Sequence, residues 1–125
     1  MDTIAPSSTV SFDETQGEVQ FTISGFWELE DLKGFLAELD DASLPLVKAR
    51  KRIHALGDMD GFVPQSREAG EAIRDHLNNA QKFGLEKIAI VKGSPLTKMQ
   101  YKRLSAGIAV EFFDDQASAA AWLRA

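Results

Sequence analysis

The chain has 125 residues, 44% apolar and 26% charged, with 14 Lys and Arg against 19 Asp and Glu for a net charge of −5. That length supports one well-filled core rather than two, and the absence of cysteine excludes a disulfide scaffold, a thiol nucleophile and a cysteine-ligated metal. The acidic balance argues against general nucleic-acid binding, and no apolar run reaches the roughly 18–20 residues of a membrane helix.

Residues 1–8 are small and polar without periodicity, which predicts a disordered lead-in to a single domain over residues 9–125. They carry neither the basic nor the apolar stretch of a secretory signal, so a cytoplasmic location is expected. Thr9 to Asp13 and Glu18 to Gly25 alternate, with Val19, Phe21 and Ile23 on one face of the second segment. This is the pattern of half-buried strands, and the turn Glu14-Thr15-Gln16-Gly17 makes them a hairpin.

From Glu28 to Leu39, Leu29, Leu32, Phe35, Leu36 and Leu39 recur at helical spacing, with acids in the first turn where the helix dipole favours them. Pro45 predicts irregular chain from Asp40 to Arg50. A third strand is expected over Lys51–Gly57, then a turn, Asp58-Met59-Asp60-Gly61, and a long helix from Pro64 to Lys82 ended by Gly84. Lys87–Val91 is nearly all apolar, as in a strand covered on both faces. Ser94-Pro95 opens a short helix closed by Gly107, Ile108–Phe113 is a fifth strand, and Asp114 is placed to cap a final helix through Trp122-Leu123. The order β-β-α-β-α-β-α-β-α implies an α/β fold with a mixed sheet, parallel from the second strand onward. Ile88, Ile90, Val110 and Phe112 are expected in its interior.

Charge is unevenly spread. Residues 1–47 hold ten acids and one base, whereas residues 48–104 hold twelve bases and six acids. The densest basic tract, Lys48-Ala49-Arg50-Lys51-Arg52, reads first as a solvated loop and strand entry, and second as a dock for an acidic partner or a phosphate.

Few residues suggest chemistry. His54, in a strand expected to be central, is either a satisfied core histidine or a ligand contact near Asp58. His76 borders the apolar stripe of the long helix. Neither has a second histidine at metal-ligand spacing, so no metal site is expected. Asp58 and Asp60 flank one turn, where they would serve as caps of the following helix or, less simply, as an acid–base pair. Walker-type and nucleophile-elbow motifs are missing, and no cofactor is expected. Trp27 follows the second strand, Phe62 the third, and Met99 and Tyr101 ride the short helix. If all lie at the same end of the sheet, they would line an apolar pocket or a partner-facing patch. The plainer reading of Trp27 and Phe62 is the edge of the core.

The element order, the Asp58-Met59-Asp60-Gly61 turn and the ending Val110-Glu111-Phe112-Phe113…Ala120-Ala121-Trp122-Leu123 resemble the SpoIIAA-like group, which includes STAS domains and small bacterial STAS/SEC14-like proteins. The resemblance implies a single-domain SpoIIAA-like fold, a mostly parallel five-stranded sheet with helices mainly on one side. A sheet face left bare by such helices makes a homodimer one expectation. STAS domains of the anti-sigma-factor-antagonist kind carry an Asp-Ser-Ser-Gly-like turn whose second serine is phosphorylated to switch partner binding. Asp58 and Gly61 match its ends, but Met59 and Asp60 stand where the serines would be, so the phosphorylation switch is absent. The resemblance implies first a non-enzymatic protein-interaction module contacting an unknown partner through Asp58 to Phe62. The alternative is a carrier or sensor of a small apolar or lipid-like ligand, and an enzyme using Asp58, Asp60 and His54 ranks last.

Overall fold

The structure, a computed structural model, describes residues 5–125, so half of the expected lead-in lies outside it. Its elements are β1 (Ser7–Asp13), β2 (Glu18–Ser24), α1 (Leu29–Lys48), β3 (Ile53–Asp58), α2 (Arg67–Lys82), β4 (Leu85–Val91), α3 (Pro95–Leu104), β5 (Ala109–Phe113) and α4 (Gln116–Leu123). The strands lie in sequence order in one sheet, β1 antiparallel to β2 and each later neighbour parallel. The crossovers between the parallel strands place α1, α2 and α3 on one face, while α4 folds back over β3, β4 and β5 on the other.

Alternation along the strands divides the core in two. Val19, Phe21, Ile23, Ile53, Ala55, Ile88, Ile90 and Val110 face α1, α2 and Tyr101 of α3. Leu56, Ala89 and Val91 meet Ala119 and Leu123 of α4. Ile88, Ile90 and Val110 are buried as expected, and Phe112 is half-buried with the Lys98 ammonium 5.9 Å from its ring.

Four local expectations are corrected. The first strand begins at Ser7 rather than Thr9, because Ser7 and Thr9 pair their hydroxyls with Ser24 and Thr22 at 2.6 and 2.8 Å across the hairpin. The first helix does not stop at Leu39. It runs through Pro45 to Lys48, and burial of Leu46 against the sheet offsets the proline penalty of roughly 3 kcal/mol. The last helix is capped by Asp115, one position beyond Asp114, whose carboxylate accepts from the Ser118 N–H at 2.8 Å.

The fourth correction concerns the sheet face opposite α1. It is not a bare apolar surface. α4 covers the apolar part, and beyond it β1 and β2 present the Ser7–Ser24 and Thr9–Thr22 hydroxyl pairs. The ground for expecting a homodimer therefore falls away.

Candidate ligand-binding site

The turn after β3 is built by its own backbone. Asp58 Oδ1 accepts from the Asp60 N–H at 2.8 Å, Phe62 N–H donates to the Met59 carbonyl at 3.0 Å, and Gly61 takes φ +83°, a conformation that disfavours any side chain. The Gly61 carbonyl then accepts from Gly25 N–H at 2.8 Å, tying the turn to the end of β2. Neither carboxylate caps α2, contrary to expectation. Ser66 does so, its hydroxyl accepting from Ala69 N–H at 3.2 Å, because residues 62–66 intervene as irregular chain. Asp60 is exposed and lies 3.9 Å from the ammonium of Lys92, whose side chain is about half exposed. Met59 points inward and is buried.

His54 does not approach this turn. It shares a face of β3 with Asp58, but three residues of strand lie between them and set them roughly 13 Å apart. Its Nε2 lies 2.8 Å from Glu86 Oε1, and Glu86 is also bonded to Arg52. The His54 hydrogen bond, aided by the Arg52 charge, holds the Glu86 carboxyl below its ordinary range. Asp58, Asp60 and His54 thus form no common site. Among the described residues no group of three His, Asp or Glu converges as metal ligands, and no helix is long and apolar enough to cross a membrane.

The expected aromatic cluster divides. Phe62 and Tyr101 are buried and line one cavity, which lies between the sheet and helices α1 and α2. Burial raises the Tyr101 hydroxyl far above its ordinary value, so it stays a neutral phenol. Trp27 is buried beside this space rather than in its wall. Its ring stands 5.8 Å from that of Phe35, and its Nε1 donates to the Ser24 carbonyl at 2.9 Å. Met99 of α3 is 64% exposed and does not belong to the wall of this cavity.

The cavity measures about 290 Å³. Its walls are Val19, Phe21 and Ile23 of β2, Ile53 and Ala55 of β3, Leu85 and Ile88 of β4, and the inward stripes of α1 and α2. Met59, Phe62 and Tyr101 close one end. At the other, Asp40, Ser43, Leu44, Asn79 and Phe83 form a mouth between the C-terminal halves of α1 and α2. The mouth thus lies at the end of the sheet opposite the Asp58–Phe62 turn.

One polar pair spans the mouth. His76 Nε2 lies 2.9 Å from Asp40 Oδ1, so the carboxylate accepts and the proton sits on Nε2. The other ring nitrogen, Nδ1, is buried without a hydrogen-bond partner. The helical periodicity of His76 predicts packing at an apolar border, and the pairing with Asp40 depends on α1 continuing past Leu39.

Gln65 is a structural residue that sequence reasoning missed. It is buried, with Oε1 accepting from Trp27 N–H at 2.9 Å and Nε2 donating to the Gly25 and Val63 carbonyls at 3.0 and 2.6 Å. Its own backbone exchanges two bonds with the Gln100 side chain of α3, at 2.9 and 3.0 Å. A glutamine between Pro64 and a helix start carries no sequence signal of this role.

A sequentially ordered sheet, antiparallel at its first edge, with three helices on one face and a fourth behind, defines a class of small single-wound α/β proteins. The chain belongs to the SpoIIAA-like family, whose model matches residues 19–124. It is similar to the crystal structure of an uncharacterised DUF3478-family protein with a SpoIIAA-like fold from Shewanella loihica PV-4. The two are 22% identical, the match covers 98% of each chain, and the TM-score is 0.65. At that identity the likeness speaks for the fold alone. No curated protein matches the chain.

Proposed function

We propose that this protein is a carrier or sensor of a small, mainly apolar ligand held between the sheet and helices α1 and α2. The observation that carries the reading is the cavity of about 290 Å³ with almost wholly apolar walls. Because this space opens to solvent at its mouth, its apolar walls face water unless a mainly apolar molecule covers them, and covering them is favourable by roughly 25 cal/mol per Å². The ligand's polar end would meet His76 at the mouth, where Nδ1 lacks a partner. This role is one of binding, and it assigns no reaction to Asp58, Asp60 or His54.

The test is native mass spectrometry of the purified chain together with titration by an uncharged fluorescent probe such as N-phenyl-1-naphthylamine. An adduct, or saturable one-to-one probe binding, is expected. Ala55→Leu places three more carbons in the cavity, and should raise thermal stability while abolishing probe binding. If Ala55→Leu destabilises the chain as an overpacked core would, and the probe finds no site, the carrier reading is wrong.

A second reading rests on the opposite end of the sheet. Phe26, Leu96 and Met99 are 44, 66 and 64% exposed and belong to segments that touch Phe62, beside the exposed Asp60 and Gly61. Such a surface fits a protein-interaction module without the phosphorylation switch. Comparing what co-purifies with the wild-type chain and with Met99→Asp and Asp60→Lys variants tests it, and identical sets would end it.

A further inference from the structure

The rim of the cavity carries features that holding a ligand does not require. Leu44 and Phe83 line the mouth yet remain 43 and 56% exposed. Phe83 also borders a groove lined by Arg50, Lys51, Arg52 and Lys82, from the α1–β3 connection and the last turn of α2. The acids among the residues lining the mouth and the groove are both engaged: Asp40 with His76, and Glu86 with Arg52 and His54. Arg50, Lys51 and Lys82 hold no ion pair among the described residues. Lys82 has a local reason to be basic, since a helix C-terminus favours cations. Arg50 to Arg52 lie beyond the end of α1 and lack that reason. Arg50 also takes φ +56°, just past a helix end, where glycine would sit without strain. The chain keeps a charge there instead.

We propose that this face docks on the surface of an anionic lipid bilayer. Leu44 and Phe83 enter the interfacial layer, and Arg50, Lys51, Arg52 and Lys82 meet the headgroup charges. An acidic protein would satisfy the cations, but the exposed apolar pair at the lip of an open apolar cavity matches a hydrocarbon phase better. The docking rests on this surface. Its purpose, moving the ligand between bilayer and cavity without crossing water, rests on the carrier reading above.

Flotation of the full chain with phosphatidylcholine vesicles, with and without added phosphatidylglycerol, tests the proposal. Binding is expected only with phosphatidylglycerol and should be lost as salt rises. Each cation near such a surface contributes roughly fivefold to partitioning, so Arg50→Glu with Lys51→Glu should cut the bound fraction more than tenfold. Both residues stand outside the cavity wall, so titration with N-phenyl-1-naphthylamine should be unchanged. Arg50→Gly relieves the strained backbone, and should keep or raise Tm while weakening vesicle binding several-fold. Equal binding to both vesicle types, or none to either, overturns the docking even if the probe binds. Binding of poly-glutamate but not vesicles overturns it in favour of an acidic protein partner. Vesicle binding with neither an adduct in native mass spectrometry nor probe binding upholds the docking and removes the carrier reading.

Discussion

The Phe21 ring lies over the backbone of Gly57, its register partner across β2 and β3, so closely that a β-carbon on Gly57 would come within 2.2 Å of Cζ. Phe21 is also part of the cavity wall. Gly57 therefore sets how deep that ring sits, and with it the shape of the binding space. Gly57→Ala should push the ring towards the cavity, costing about 1–3 kcal/mol as overpacking does and weakening apolar-probe binding. Denaturant unfolding and probe titration of the same variant check both effects. Unchanged probe affinity would show that the ring moves elsewhere.

Gln65 ties the start of α2 to α3 by backbone bonds with the Gln100 side chain, and to the end of β2 by side-chain bonds to Trp27 N–H and the Gly25 carbonyl. Gln65→Leu keeps the volume but leaves these buried backbone groups without partners. The expected loss is about 2–6 kcal/mol, at roughly 1–3 kcal/mol for each of the two unsatisfied groups. A loss below half a kcal/mol on urea denaturation would mean that water replaces the amide.

Ser66, not Asp60, terminates α2. Ser66→Ala should cost about 1 kcal/mol, the usual value of a lost cap, whereas Asp60→Ala should stay within roughly 0.5 kcal/mol as an exposed substitution. Paired thermal melts decide it, and the reverse ranking would falsify the assignment.

Stability should also respond to acid through Glu86. Its carboxyl lies below the ordinary value of 4.5, chiefly through the His54 hydrogen bond, with the Arg52 charge adding to it. A lowered carboxyl binds fewer protons in the native than in the unfolded chain. Its contribution is therefore complete above pH 4.5 and fades as pH falls through the lower native value. Glu86→Gln should make the acid limb of the stability curve shallower while leaving the slope above neutrality alone. An acid limb of unchanged slope would assign that pH dependence to other carboxylates.

Much of the fold was legible locally. Alternation in Val19, Phe21 and Ile23 and the three-four spacing of the leucines in α1 each report one buried face, and the nearly all-apolar Lys87–Val91 reports two. That order of elements leaves few topologies open, and the sequential sheet follows from short crossovers. Element ends were less legible. Pro45 carries a local penalty whose offset, burial of Leu46, is a long-range event. The start of α2 was misplaced because Pro64 signals a first helical turn as strongly as Ser66 signals a cap.

The sequence by itself determined which elements form, their order, the family and that Met59 and Asp60 rather than serines occupy the turn after β3, since these depend on residue identity and short-range periodicity. Only the tertiary structure decided that Phe62 and Tyr101 share a cavity while Trp27 and Met99 do not. It likewise decided that His76 meets Asp40 across two helices and that the basic tract stands beside the cavity mouth. An empty space has no residue of its own. It arises where side chains from β2, β3, β4, α1 and α2, up to 69 positions apart between Val19 and Ile88, fail to meet, and no local pattern encodes that failure.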